Sequence, residues 1–319
     1  MTISNIINDI SYISAWRMEL MFILRYALIF IILIYLYSKN FINKQTITIF
    51  LFVALLIQCF DGIYQSIVGY DFFKDNLGSL NNGLTGAVSN RNTYGFLMGI
   101  GVCLTFIYLF KRSKVDLVSF FILIFLLMFS FTTLFSYSRG VWIALILSLL
   151  IYIVSQFKYL RAIHIVYFLL IASIISLLLA NTDSLSSRIN DLIALKTSNR
   201  DIIWLKAISL IKEQPIFGWG LDSWKIYGTV NYAGVHNSIL EILLFTGILG
   251  LISFFSILYI TLKKIYIYKQ WELLFIIIFL IITSLFGHSI FKSKIYLSVV
   301  TILMFYVYSI KIEMKEQES

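Results

Sequence analysis

Ala162-Ile-His-Ile-Val-Tyr-Phe-Leu-Leu-Ile-Ala-Ser-Ile-Ile-Ser-Leu-Leu-Leu-Ala180 contains no acid, lysine or arginine. It matches the ~20 apolar residues that a helix needs to span hydrocarbon. Leu20 to Tyr37 reads the same way, and apolar windows on either side give about nine spans, near 20–37, 46–66, 93–110, 115–137, 141–156, 162–180, 236–262, 271–287 and 295–310. The runs are continuous rather than alternating. In lipid only helices or closed barrels satisfy every backbone group, so continuity selects helices. The expected fold is all-α: one polytopic transmembrane helix bundle over 1–319, with a partly helical loop, 181–235, inserted between two spans.

Composition agrees. The chain has 319 residues, 60% hydrophobic and 13% charged, with mean hydropathy +0.91, against about 25% charged in soluble domains. The formal charge of +9 does not imply nucleic acid, because the lysines and arginines gather in short connections, where orientation in the membrane explains them. Cys59 and Cys103 fall inside spans without metal or redox spacing.

Lys39 and Lys44, then Lys111, Arg112 and Lys114, then Lys158 and Arg161, then Lys263, Lys264 and Lys269, and finally Lys311 and Lys315 share one side, which the positive-inside rule makes cytoplasmic. The segments 61–91 and 181–235, with the turns at Ser138-Arg139 and 287–294, face outward. An odd span count with the C-terminus inside puts the N-terminus outside. Either leading spans precede this sequence, or Ile3 to Trp16 dips into the interface, or the count is off by one.

The polar residues with chemical potential lie on the outer segments. Asn90 or Asn92 can cap the third span, and Arg91 beside that helix end makes a natural anion site; capping alone and anion binding both remain open. Ser136-Tyr137-Ser138-Arg139-Gly140 is a tight helical hairpin in which Gly140 permits the turn. Arg139 is then either an interfacial anchor or a ligand-binding cation, since positive charge is disfavoured on the outer side.

The insert from Asn181 to His236 runs to roughly 55 residues and should contain its own helices. Ile203, Trp204, Ala207, Leu210 and Ile211 recur at helical spacing, predicting an amphipathic helix over Arg200 to Lys212, capped by Asn199 or Asp201. Arg200 sits in its first turn. Pro215, the only proline, ends it, and Gly218-Trp219-Gly220 makes a turn. His236-Asn237 opens the seventh span, with Glu241 one turn on and on the same face. His236 is either a solvent-facing helix-end histidine or a general base oriented by a carboxylate. His288, Lys292 and Lys294 read as an anchor. The outer carboxylates are scattered rather than paired, so neither a metal ion nor a cofactor is implied.

Ser138-Arg139-Gly140 before an apolar span, Arg200 with Trp204 and Ala207, then Pro215, Gly218 and Gly220, then His236-Asn237 with Leu240-Glu241, Gly247 and Gly250 together resemble the O-antigen ligase and polymerase family of bacterial membrane glycosyltransferases. Asn90-Arg91-Asn92 adds to the likeness, which covers roughly Asn90 to Ile260. The resemblance implies a multi-pass protein of the bacterial inner membrane that transfers a glycan from undecaprenyl diphosphate to an acceptor hydroxyl on the periplasmic side. The acceptor is lipid A core for a ligase and another glycan for a polymerase. Arg139 and Arg200 would hold the diphosphate and His236 would activate the hydroxyl, the three converging in space. Arg91, Asn90, Asn237, Glu241 and Trp204 would contact substrate. Family members generally have more spans, with the extra ones leading the chain.

The physics of the step agrees with that assignment. A diphosphate leaving group at a membrane surface needs paired cations, and arginine binds phosphate bidentately without a metal. The ligase reading is favoured because the outer loop is single and compact. A transporter of lipid-linked sugar or a small anion is the competing class; it would place polar residues and broken helices near the midplane in paired repeats, whereas these spans are nearly free of such residues and show no internal repeat.

Overall fold

The computed structural model describes residues 13–112, 114–194, 196, 199–221, 223–228, 234–287 and 293–318. They form helices α1 (Ile13–Ser38), α2 (Lys44–Val68), α3 (Arg91–Lys111), α4 (Leu117–Phe135), α5 (Arg139–Ser155), α6 (Ala162–Ala180), α7 (Asp183–Ile193), α8 (Arg200–Glu213), α9 (Ser223–Tyr227), α10 (Ser238–Ile267), α11 (Trp271–Phe286) and α12 (Lys294–Glu318). The all-α expectation holds: the described residues contain no β-strand, only an isolated bridge between Tyr70 and Leu77.

Helices α2, α3, α4, α6 and α10 are long and apolar enough to cross a membrane. The other expected spans fall on α5, α11, Leu24–Ser38 of α1 and Lys294–Ile310 of α12, which are apolar but shorter. Among the described residues five helices are thus long and apolar enough to cross, which leaves the expected count of about nine spans unconfirmed, and the chain is a multi-pass membrane protein. The readings on residues 3–12, His288 and Lys292 lie outside the described residues.

The chain divides into two compact units, one of Met1–Lys44, Thr197–Leu273 and Ser284–Ser319, the other of Gln45–Lys196 and Leu274–Thr283. The second is built around α3, which is buried along most of its length and packs most heavily on α4. Small residues allow that packing: a side chain at Gly99 would meet Phe279 at 2.5 Å, and one at Gly101 would meet Phe129 at 2.4 Å. His164 is buried and stacked on Phe110 with ring centres 4.6 Å apart.

Two buried polar side chains on α2 organise the segment that leads to α3. The Asp61 carboxylate accepts from the backbone of Phe72 and of Ala87, both at 2.8 Å. Gln65 accepts from Thr85 and Gly86 at 2.9 and 3.0 Å and donates to the Asn76 carbonyl at 2.8 Å. Polar groups this costly to bury persist where backbone partners satisfy them, and here they hold residues 70–87 over the end of α2.

Between α3 and α4, Asp116 caps α4 by accepting from the Ser119 amide at 2.9 Å and the Ser119 hydroxyl at 2.8 Å, and it pairs with Arg112. Those hydrogen bonds, then the guanidinium, hold its carboxyl at about 2. The folded value lies below the ordinary ~3.9, so the contribution is complete above that and is lost as the pH falls through the folded value. In detergent, the parent's melting temperature is expected to fall more steeply between pH ~4 and ~2 than that of Asp116→Asn; parallel curves would remove this role.

The other unit pairs α1 with α12 and α8 with α10. Tyr37 meets Phe305 edge-on at 5.4 Å, and the Tyr306 hydroxyl donates to the Lys44 carbonyl at 2.8 Å. The amphipathic helix predicted over 200–212 is α8; it buries Ile203, Ala207 and Leu210 in a cluster with Leu221, Trp224, Val235, Leu244 and Phe245.

Helix α10 is broken at Gly247 (φ 63°, ψ −163°). The backbone groups freed there are taken up by the loop after α8: Trp219 N–H donates to the Leu244 carbonyl at 2.7 Å, Gly220 N–H to that of Phe245 at 3.0 Å, and Ile248 N–H to that of Pro215 at 2.9 Å. The break's freed groups are thus satisfied by protein backbone.

Candidate active site

Each arginine singled out in the sequence is the first residue of a helix: Arg91 of α3, Arg139 of α5 and Arg200 of α8. A cation there opposes the helix macrodipole at a cost of about 0.3–1 kcal/mol. The free N–H groups and the guanidinium both attract anions, so the arrangement is unfavourable empty and favourable with an anion bound. His236 immediately precedes the cap of α10.

All four segments are entered through a left-handed residue other than glycine. Ser89 (φ 62°) precedes Asn90-Arg91, Tyr137 (φ 55°) precedes Ser138-Arg139, Asn199 (φ 61°) precedes Arg200, and His236 itself has φ 55°. Only Asn40, Asp75 and Lys269 share this conformation among the described non-glycine residues. Such strain persists where surrounding structure enforces it, and it gathers at functional sites. The hairpin reading needs one correction. The reversal is made by Tyr137, while Gly140 lies inside α5.

In the unit built around α3, several contacts bring the hairpin, α7 and the start of α3 together. Leu84 N–H donates to the Phe135 carbonyl at 2.7 Å. The Tyr137 hydroxyl bonds Ser184 at 2.7 Å and also donates to the Leu80 carbonyl. Arg139 Nη1 donates to the Asp191 carbonyl at 3.0 Å. Arg188 of α7 lies over the Tyr137 ring, 5.8 Å from its centre. Arg91 is half-buried within the field of Arg188 and Arg139, so three guanidiniums gather here. Sequence reading missed Arg188 because α7 is rich in Ser, Asn and Asp, though Leu185, Ile189 and Leu192 carry a helical period. Asn90, placed among the substrate contacts, caps α3 by accepting from Asn92 and Thr93 at 3.0 and 3.1 Å.

The unit containing α10 holds the remaining candidates. Asn237 caps α10, its side-chain oxygen accepting from Ile239 at 3.0 Å and Leu240 at 3.1 Å. Glu241 is buried in the first turn, where the macrodipole favours a carboxylate. The Trp204 indole donates to the Val235 carbonyl at 3.2 Å and so fixes the residue before His236. His236 is half-buried. Asn199 occupies the cap position of α8 without a side-chain cap bond.

Residues 123–255 match the family model described as O-antigen ligase. The chain therefore carries an O-antigen ligase family segment, as the motifs from Ser138 to Gly250 suggested. That segment takes in Arg139, Arg188, Arg200, His236 and Glu241, while Asn90 and Arg91 precede it. The match supports a coarse activity: a membrane glycosyltransferase of O-antigen ligase or polymerase type, with a lipid-linked glycan donor and a glycan or lipid acceptor. No curated protein matches the chain.

Proposed function

We propose that the chain is an O-antigen ligase that moves a glycan from undecaprenyl diphosphate to a hydroxyl of lipid A core at the periplasmic face of the inner membrane, with inversion and without a metal. The observation that carries the reading is the set of arginines at helix starts, placed against the macrodipole where an anion would reverse the cost. Arg139 and Arg91 bind the diphosphate in the unit around α3, and in the other unit Arg200 is a further phosphate-binding arginine. His236 takes the acceptor proton, and Glu241 supports it. The hydroxyl oxygen attacks the anomeric carbon, the bond to the phosphate oxygen breaks, and its electron pair stays on the diphosphate. Asn90, Asn237 and Trp204 hold the backbone of these segments as their hydrogen bonds indicate, and substrate contact by any of them is a further part of the proposal.

Expression in a ligase-deficient, O-antigen-producing bacterium tests the reading. The expected result is glycan attached to lipid A core. Longer glycan in a polymerase-deficient strain, with none attached to lipid A core, would replace ligation with polymerisation. Substrate movement without bond formation in proteoliposomes would replace both with transport.

A further inference from the structure

Arg188 has no part in the chemistry just described, yet the helix that carries it is fastened to the hairpin that carries Arg139. Helix α7 is fastened at both ends of one face, through Ser184 on the Tyr137 hydroxyl at 2.7 Å and through the Asp191 carbonyl under Arg139 at 3.0 Å. Arg188 lies one turn from each on that same face. Its guanidinium carbon sits 5.8 Å from the Tyr137 ring centre, a cation–π distance. Among the described residues neither Arg188 nor Arg91 makes an ion pair or a hydrogen bond through its guanidinium. The nearby acid, Asp191, is taken by Lys196 at 2.7 Å. Like charges repel, and Arg91 feels Arg188 more strongly than Arg139; a cluster arranged this way is relieved by a multiply charged anion.

We infer that Arg188 is the third phosphate-binding arginine of the unit around α3, beside Arg91 and Arg139, and is matched to the charge that the diphosphate gains as it leaves. This rests on the glycosyl-transfer reading. While the glycan is attached, the diphosphate is a diester carrying roughly two negative charges; once the anomeric carbon–oxygen bond breaks it is a monoester carrying roughly three at neutral pH. Two arginines suit the donor. A third is worth more to the departing product than to the bound donor, which is the condition for accelerating the step rather than only tightening binding. Arginine over an aromatic face keeps its planar N–H edge available for bidentate contact, which lysine lacks.

The test uses the full chain in detergent micelles with two probes, farnesyl diphosphate and its glycosyl diester. The parent is expected to bind the monoester about tenfold more tightly than the diester. Arg188→Gln is expected to lose about tenfold for the monoester and less than about threefold for the diester, with Arg188→Lys falling between. Equal losses for both probes, no loss, or a parent that binds neither would overturn the inference. Melting temperatures guard against misfolding, and Arg188→Lys, which keeps a cation over Tyr137, gives the readout if Arg188→Gln does not fold. A parent with the monoester preference that fails to attach glycan in cells leaves Arg188 in place and removes only ligation. A parent that attaches glycan while Arg188→Gln binds both probes normally removes only this inference.

Discussion

Gly247→Ala is expected to cost more than about 4 kcal/mol, enough to abolish the folded unit built on α10. Two effects add. The residue has φ 63°, which L side chains rarely adopt. A methyl group there would also stand 2.1 Å from the Ile216 carbonyl oxygen and 2.7 Å from the Phe217 nitrogen. Both are backbone atoms of the loop that closes the break, so neither can swing aside. Gly218 meets the same junction from the other side, where an added Cβ would approach the Gly247 nitrogen at 2.6 Å, and Gly218→Ala should behave alike. Leu249→Ala, two residues away at an exposed position, should change stability by less than about 1 kcal/mol. Thermal melting and protease sensitivity of the detergent-solubilised proteins are the measurements. A Gly247→Ala protein that melts with the parent would mean that the loop is not seated in the break.

The second large effect is on chemistry. His236→Ala is expected to lower glycan transfer by about 10²–10⁴, the range for losing a general base, while membrane insertion stays at the parent level. Because His236 has φ 55°, alanine also disturbs the backbone, and the two causes have to be separated. His236→Gly and His236→Asn suit the left-handed conformation while removing the imidazole. If the imidazole takes the proton, both are as inactive as His236→Ala. Transfer restored in His236→Gly would reduce the residue to a turn-former.

What could be read from the chain was governed by locality. Runs such as 162–180 declare a helix because hydrocarbon imposes a local length and polarity, and α8 announced itself through Ile203, Ala207 and Leu210. The motif residues were also visible singly, including Arg139, Arg200 and His236. What escaped depends on partners distant in sequence. The break at Gly247 lies inside a continuous apolar run, and nothing in its side chains shows that the backbone of Pro215 to Gly220 will satisfy it. The roles of Asp61 and Gln65 were not legible because their partners, from Phe72 to Ala87, are backbone groups. The hairpin was assigned to Gly140 on propensity, whereas Tyr137 is forced left-handed by packing and by its hydroxyl's contacts with Leu80 and Ser184. Arg188 was passed over because a polar helix outside the membrane resembles a loop.

The broken helix also sets a thickness. From Ile248 to Ile267 the uninterrupted part of α10 contains 20 residues, a rise of about 30 Å at the α-helical pitch, with Lys263 and Lys264 near its cytoplasmic end, where their long side chains reach out to the interface. That rise equals the hydrocarbon depth of a typical bilayer, about 30 Å. The stretch after Gly247 thus suffices to cross by itself, and the piece before it, from His236 to Thr246, need not be immersed. Glu241 is then buried in protein rather than in lipid, and the hydrophobic match of this span is decided by one glycine rather than by the ends of its apolar run.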